Sequence, residues 1–186
     1  MQRPAPAQAK LVPAEHGVAP AGEGWFVVNA GATVWRRLAE YGDWCTFEGT
    51  GDARFKEFGI NLHVLEPGQP NCKYHGETGQ EDFLVLSGEC IVVIDGEERR
   101  LQAWDFVHCP SWTEHVFVGA GDGPCLLLMV GARPETGGVS YPVSEAAARH
   151  GASVAVATPD PREAYAGVTP RFEIPARLDV LPGAPR

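Results

Sequence analysis

EDFLVLSGECIVVIDGEERRL, residues 81–101, decides the fold class. Glu81–Leu86 and Glu89–Ile94 are short runs rich in Val, Ile, Leu and Phe, parted by Ser87-Gly88. Asp95-Gly96 is the two-residue signature of a tight hairpin, and Glu97–Leu101 is its returning strand. Working outward, Ile60–Leu65 reads as a strand stopped by Glu66-Pro67-Gly68. Cys72–Glu77, Asp105–Cys109, Glu114–Val118 and Cys125–Val130 continue the series at the short, regular spacing of sandwiches and barrels. No helical period interrupts it, so the middle of the chain is all-β.

The flanks carry weaker signals. Residues 1–24 are rich in Ala and Pro and are expected to be an extended or disordered arm. A short strand is expected over Trp25–Val28, and residues 31–56 yield no clean assignment. Ser144 is placed to cap a helix over Glu145–His150 that stops at Gly151. Asp160-Pro161-Arg162-Glu163 combines a capping residue, Pro at the first helical position and Glu at the third. The resulting division is an arm (1–24), a β-barrel domain (25–135, core 60–131), and short helices with a Pro-rich tail (136–186).

Composition excludes several functions. The chain has 186 residues, 15 Lys and Arg against 24 Asp and Glu, and a net charge of −9, without any basic run. Nucleic acid is therefore not an expected partner, since phosphate binding draws on clustered cations. Five cysteines at wide spacing, an odd number with no C-x-x-C pair, give neither a disulfide framework nor a zinc knuckle. The N-terminus lacks the apolar core of a signal peptide, and no apolar run is long enough to span a membrane. A cytoplasmic location without membrane association is expected.

Strand alternation gathers the chemistry. Lys73, His75 and Glu77 fall on one face of an extended segment; Glu81 shares a face with Phe83 and Val85, and His115 with Phe117. A carboxylate at the head of an inward apolar row is costly to desolvate without a partner. Two imidazoles and a carboxylate at one barrel mouth form the facial set favoured by octahedral divalent metals. The alternative is a structural one, a buried Glu held by two histidines. Glu77 is either a further ligand or a solvated residue at the edge of the Thr78-Gly79 loop.

These residues carry a resemblance. GQPNCKYHGETGQEDFLVLSG (68–88) resembles the first motif of the cupin superfamily, with His75, Glu81 and Gly88 at its positions. WDFVHCPSWTEHVFVG (104–119) resembles the second, with Pro110 and His115 in place. Glu77 stands where the family has its second His, and Trp104, Trp112 and Gly119 replace two glycines and an Asn. The resemblance implies a single cupin-type antiparallel β-barrel, or jelly roll, with short peripheral helices near the C-terminus. It also implies a divalent ion (Fe, Mn, Ni or Zn) held by His75, Glu77, Glu81 and His115.

The function expected is a metal-dependent enzyme, of dioxygenase or isomerase type, acting on a small organic molecule in the barrel pocket. Glu77 is its candidate catalytic base, and the alternative is a non-enzymatic small-molecule or sugar-binding module. Lys73 is a candidate anion anchor or a side chain reaching for solvent. His63 and His108 are either ordinary packed residues or contacts to the ligand or its supporting groups, Cys72 and Cys109 are expected to be core thiols, and Trp112 either walls the pocket or packs under a turn. The runs 83–86 and 89–94 are apolar on both faces, and the barrel interior covers only one. The surroundings of the second sheet, the N-terminal segment or another subunit must cover the other, and a homodimer is expected.

Overall fold

The computed structural model describes residues 6–183, so the first five residues of the expected arm and the end of the tail, with Pro185, lie outside the described residues. Strands β1 (Lys10–Pro13) and β2 (Val18–Ala21) form a hairpin where the sequence suggested no element. Trp25 makes only an isolated bridge to Gln8, so the strand expected at Trp25–Val28 is absent. The unassigned stretch holds β3 (Trp35–Leu38) and β4 (Gly42–Thr46). Next come β5 (Phe58–Leu65), β6 (Gly76–Glu77), β7 (Glu81–Ser87), β8 (Glu89–Ile94), β9 (Glu97–Gln102), β10 (Phe106–Cys109), β11 (His115–Ala120) and β12 (Cys125–Ala132). The chain closes with β13 (Val139–Ser140), α1 (Glu145–Ala148), α2 (Pro161–Ala164) and β14 (Phe172–Ile174).

A seven-stranded antiparallel sheet, in the order β10-β7-β12-β5-β4-β3-β14, faces a three-stranded one, β11-β8-β9. Their inner faces share one core, in which Leu65, Phe83, Val85 and Leu127 meet Cys90, Val92 and Phe117. The expected barrel is thus seen as two facing sheets whose hydrogen-bonded ladders do not run continuously around. Turn chemistry holds the register. Asp95 and Gly96 both have positive φ, 49° and 80°, which matches the twist of the β8–β9 hairpin. At Gly88 (φ 76°) a Cβ would stand 2.4 Å from the Pro124 carbonyl oxygen, so only glycine lets β7 turn into β8 against the loop before β12.

Both helices begin at the expected caps. The Ser144 side chain accepts from the Ala147 amide and Asp160 from the Arg162 amide, but each helix is a single turn. These segments cover the apolar outer faces. Ala146, Ala147 and Ala152 pack on Val93 and Val116, with Tyr74 between. On the large sheet, Ile174 and Val180 join Trp35 over Leu62, Val64 and Leu126. The expected tail therefore contributes an edge strand, β14, and a lid on the core. These segments cover part of the faces for which a homodimer was expected. Trp104 and Phe106, at the β10 edge, remain 74% and 62% exposed.

Candidate metal centre

His75 and His115 sit opposite each other as an antiparallel bridge. The His115 amide donates to the His75 carbonyl at 2.9 Å, and the His75 amide returns the bond at 3.2 Å. Directly paired residues put their side chains on the same side, and the two rings stand 5.1 Å apart. Each Nδ1 lies 2.9 Å from the carbonyl oxygen two residues earlier, of Lys73 and Thr113 respectively. A carbonyl only accepts, so Nδ1 carries the proton and Nε2 keeps its lone pair.

Both Nε2 atoms face Glu81, the first residue of β7. Glu81 Oε2 is 3.4 Å from His115 Nε2 and 4.0 Å from His75 Nε2. The three donor atoms all lie within 4.8 Å of one another. Donors sharing an ion at ~2.1 Å stand ~3 Å apart, so a small contraction brings this group onto one cation. The register that builds the site comes from β12, where Gly131 pairs with Glu81 and leaves the space beside the carboxylate open.

Burial dominates the electrostatics. It pushes the Glu81 carboxyl up to about 8, with the Glu77 charge adding to the rise. It lowers His115 to about 4, with His75 adding to the fall, and it lowers His75 against the opposing bond to Lys73. Two neutral imidazoles and a carboxylate short of positive charge are the donor chemistry of a divalent cation. The residues fit a metal.

Glu77 lines the same cavity, and burial raises its carboxyl, but its oxygens are not in the close group. Its Oε1 lies 2.8 Å from where a Cβ on Gly79 would sit. Residues 72–75 are not a regular strand, so the expected alternation fails at Lys73. Its Nζ donates to the Gly151 and Ser153 carbonyls at 3.0 and 3.2 Å, and it is not among the cavity residues. His63 is buried with Nε2 2.7 Å from the Tyr41 carbonyl, and burial lowers it to about 4. His108 is exposed and pairs with Asp82 at 2.6 Å. Cys109 is a core thiol, pushed up by burial to about 12. Cys72 lies with Sγ 3.6 Å from His75 Nδ1. Trp112, with a positive φ of 65°, lies half-exposed against Gly138.

The cavity above the centre measures about 900 Å³. Phe83 and Met129 line its apolar part, and Asn61, Asn71, Thr78 and Arg133 its polar part. Of these, only Phe83 was placed on the inward face from the sequence. Asn61 left a signal all the same: in 60–65 it shares the inward parity with His63 and Leu65, a polar residue where an apolar one is usual.

The family described as Cupin domain matches residues 61–131, which span both histidines, Glu81 and the strands that carry them. No curated protein matches the chain. Among solved structures, it is similar to a sugar phosphate isomerase from a cupin superfamily, from Silicibacter pomeroyi. The identity is 30%, over 52% of this chain and 63% of that one, with a TM-score of 0.45. It is similar to the polyketide cyclase RemF from Streptomyces resistomycificus at 17% identity, over 61% of this chain and 83% of that one, with a TM-score of 0.51. It is also similar to the DMSP lyase DddQ from Ruegeria pomeroyi at 23% identity, over 50% and 48%, with a TM-score of 0.42. The chain thus spans less than two thirds of the isomerase and of the lyase. With His75 paired to His115 and the family match running from β5 to β12, residues 61–131 of this chain match a cupin domain.

Proposed function

We propose that this cupin domain is a metal-dependent enzyme, of dioxygenase or isomerase type, acting on a small organic molecule in the cavity. The observation that carries the reading is the convergence of His75 Nε2, His115 Nε2 and Glu81 Oε2 within 4.8 Å at one end of that cavity. A bound divalent ion supplies Lewis acidity toward a carbonyl or enolate oxygen, or a site for dioxygen where it is iron. His75, Glu81 and His115 hold it, their orientation locked by the Nδ1 bonds to Lys73 and Thr113. Phe83 and Met129 exclude water on the apolar side. Glu77, outside the close donor group and raised by burial, takes a proton from the substrate carbon beside the carbonyl and returns it. The two facing sheets are read as a jelly roll, and the five free cysteines suit a reducing cytoplasm.

Metal analysis of the purified protein tests the reading. Stoichiometric Fe, Mn, Ni or Zn is expected in the wild type and is lost in His115→Ala. Metal retained by the variant, or absent from a metal-supplemented wild type, removes the centre. Oxygen uptake and isomerisation, assayed against diols, thiols and keto acids, then separate an enzyme from a module that only binds.

A further inference from the structure

The buried side-chain oxygen of Asn61 has no hydrogen-bond partner among the described residues. It stands on β5 in the wall of the cavity that holds the metal centre. A buried acceptor without a donor is unfavourable in a folded protein and calls for a partner, such as an ordered water or a ligand. The register defines its place. Phe83 pairs with Met129 and Met129 with Asn61; one inward step away, Glu81 pairs with Gly131 and Gly131 with Gly59. Asn61 is therefore two strand spacings, ~10 Å, from the strand that carries Glu81. The two glycines leave the ground between them without side chains.

Beside Asn61 a guanidinium is already fixed. Arg133 Nη2 would stand 2.9 Å from a Cβ on Gly59, the inward position that precedes Asn61 on the same strand. Arg133 donates to both carboxylate oxygens of Glu48, at 2.6 and 2.8 Å, and to the Phe55 carbonyl at 2.5 Å. Its charge is matched by Glu48, so what it offers a ligand is a positioned donor edge and not a free anion site. Two strand spacings from Glu81, an acceptor without a donor thus shares the cavity wall with a donor that is held still. A hydroxyl satisfies both, since it donates to the first and accepts from the second.

We propose that Asn61 and Arg133 form a hydroxyl-binding subsite, which holds a polyhydroxylated ligand two strands along the cavity wall from Glu81 of the His75, Glu81 and His115 group. Rotation about the broad Asn χ2 torsion presents the amide oxygen to the ligand. A chain of about five or six carbons reaches from one site to the other, given the strand spacing. The subsite rests on the reading of the cavity as a small-molecule site and is independent of whether the trio binds metal.

The test uses the full chain with D-xylose as probe and tetrahydropyran as the ring without hydroxyls. In 1H–15N spectra of the wild type, D-xylose is expected to shift the Asn61 side-chain amide pair, and tetrahydropyran to leave it in place. Asn61→Leu is expected to weaken D-xylose binding at least tenfold by calorimetry. The same variant is expected to raise Tm by about 2–6 °C without ligand, because an apolar isostere replaces the lone acceptor. An Asn61 pair blind to D-xylose, unchanged affinity in Asn61→Leu, or a fall in its Tm overturns the proposal, the last because Asn61 is then a structural amide. Mn2+ titration of the same wild-type samples reads the trio separately: failure there removes the metal centre and leaves the subsite standing.

Discussion

At the scale of single residues, the centre is defined by which nitrogen of each histidine is free. The Lys73 and Thr113 carbonyls take the Nδ1 protons, so both lone pairs face Glu81. Metal binding must then displace the proton that burial keeps on Glu81, and apparent affinity is expected to fall about tenfold per pH unit below about 8. Manganese titrations at pH 6, 7 and 8 check this; a flat profile means that Glu81 is already ionised. The same shifts set stability without metal. His63 and His115, lowered from 6.5 to about 4, bind more protons when unfolded, so stability rises with pH across that window. Glu81, raised from 4.5 to about 8, binds more protons when folded, so its contribution falls as pH rises from 4.5 to 8. Above pH 6.5 the histidine slopes end and the Glu81 slope remains. Metal-free Tm is expected to decline between pH 6.5 and 8, and saturating metal to flatten the decline. Glu77→Gln separates base from ligand. It is expected to keep the metal and to lower kcat by about 10²–10⁴-fold once a substrate is known, whereas a parallel loss of metal makes Glu77 a ligand.

Among the elements, β7, β8 and β9 were legible because their alternation and turns agree with one another. The Asp95-Gly96 hairpin stands where it was expected, with both residues at positive φ. Gly88 carries more strain risk than its place in a simple turn suggests, because a Cβ there meets the Pro124 carbonyl. Gly88→Ala is expected to destabilise the protein by more than ~1 kcal/mol, read as a lower denaturant midpoint at unchanged m-value. An unchanged midpoint shows that the Pro124 loop yields. Less legible were β3, β4 and β14, where Trp35, Cys45 and Ile174 are core residues set among glycines and charges. Such strands are held by what packs on them, and local pattern carries little of that information. The segment before β6 misled for a related reason: Lys73 leaves the row because Tyr74 enters the cluster around Ala147.

For the whole molecule, the C-terminal segment decides how the sheets meet solvent. Arg177 clamps it, bonding Asp43 at 2.6 Å and Glu66 and Asp179 at 3.0 Å, and Asp43 is only 4% exposed. Removing residues 172–183 is expected to uncover Leu62, Leu126 and Trp35 and to leave Asp43 with Arg37 alone. Dye binding to exposed apolar surface and light scattering check it, and a soluble, dye-silent truncation contradicts the covering role. The β-rich class, the central hairpins, both helix caps and the grouping of His75, Glu81 and His115 were determined by the sequence itself, through alternation, turn residues and two local motifs. Those features live within a few residues of chain, where steric preference and desolvation cost act without help. The covering of the outer faces, the position of Glu77 outside the donor group and the placing of Asn61 and a clamped Arg133 on one cavity wall were decided only by tertiary structure. Each depends on segments far apart in the chain meeting across a sheet, and no local pattern records which distant surface a residue will face.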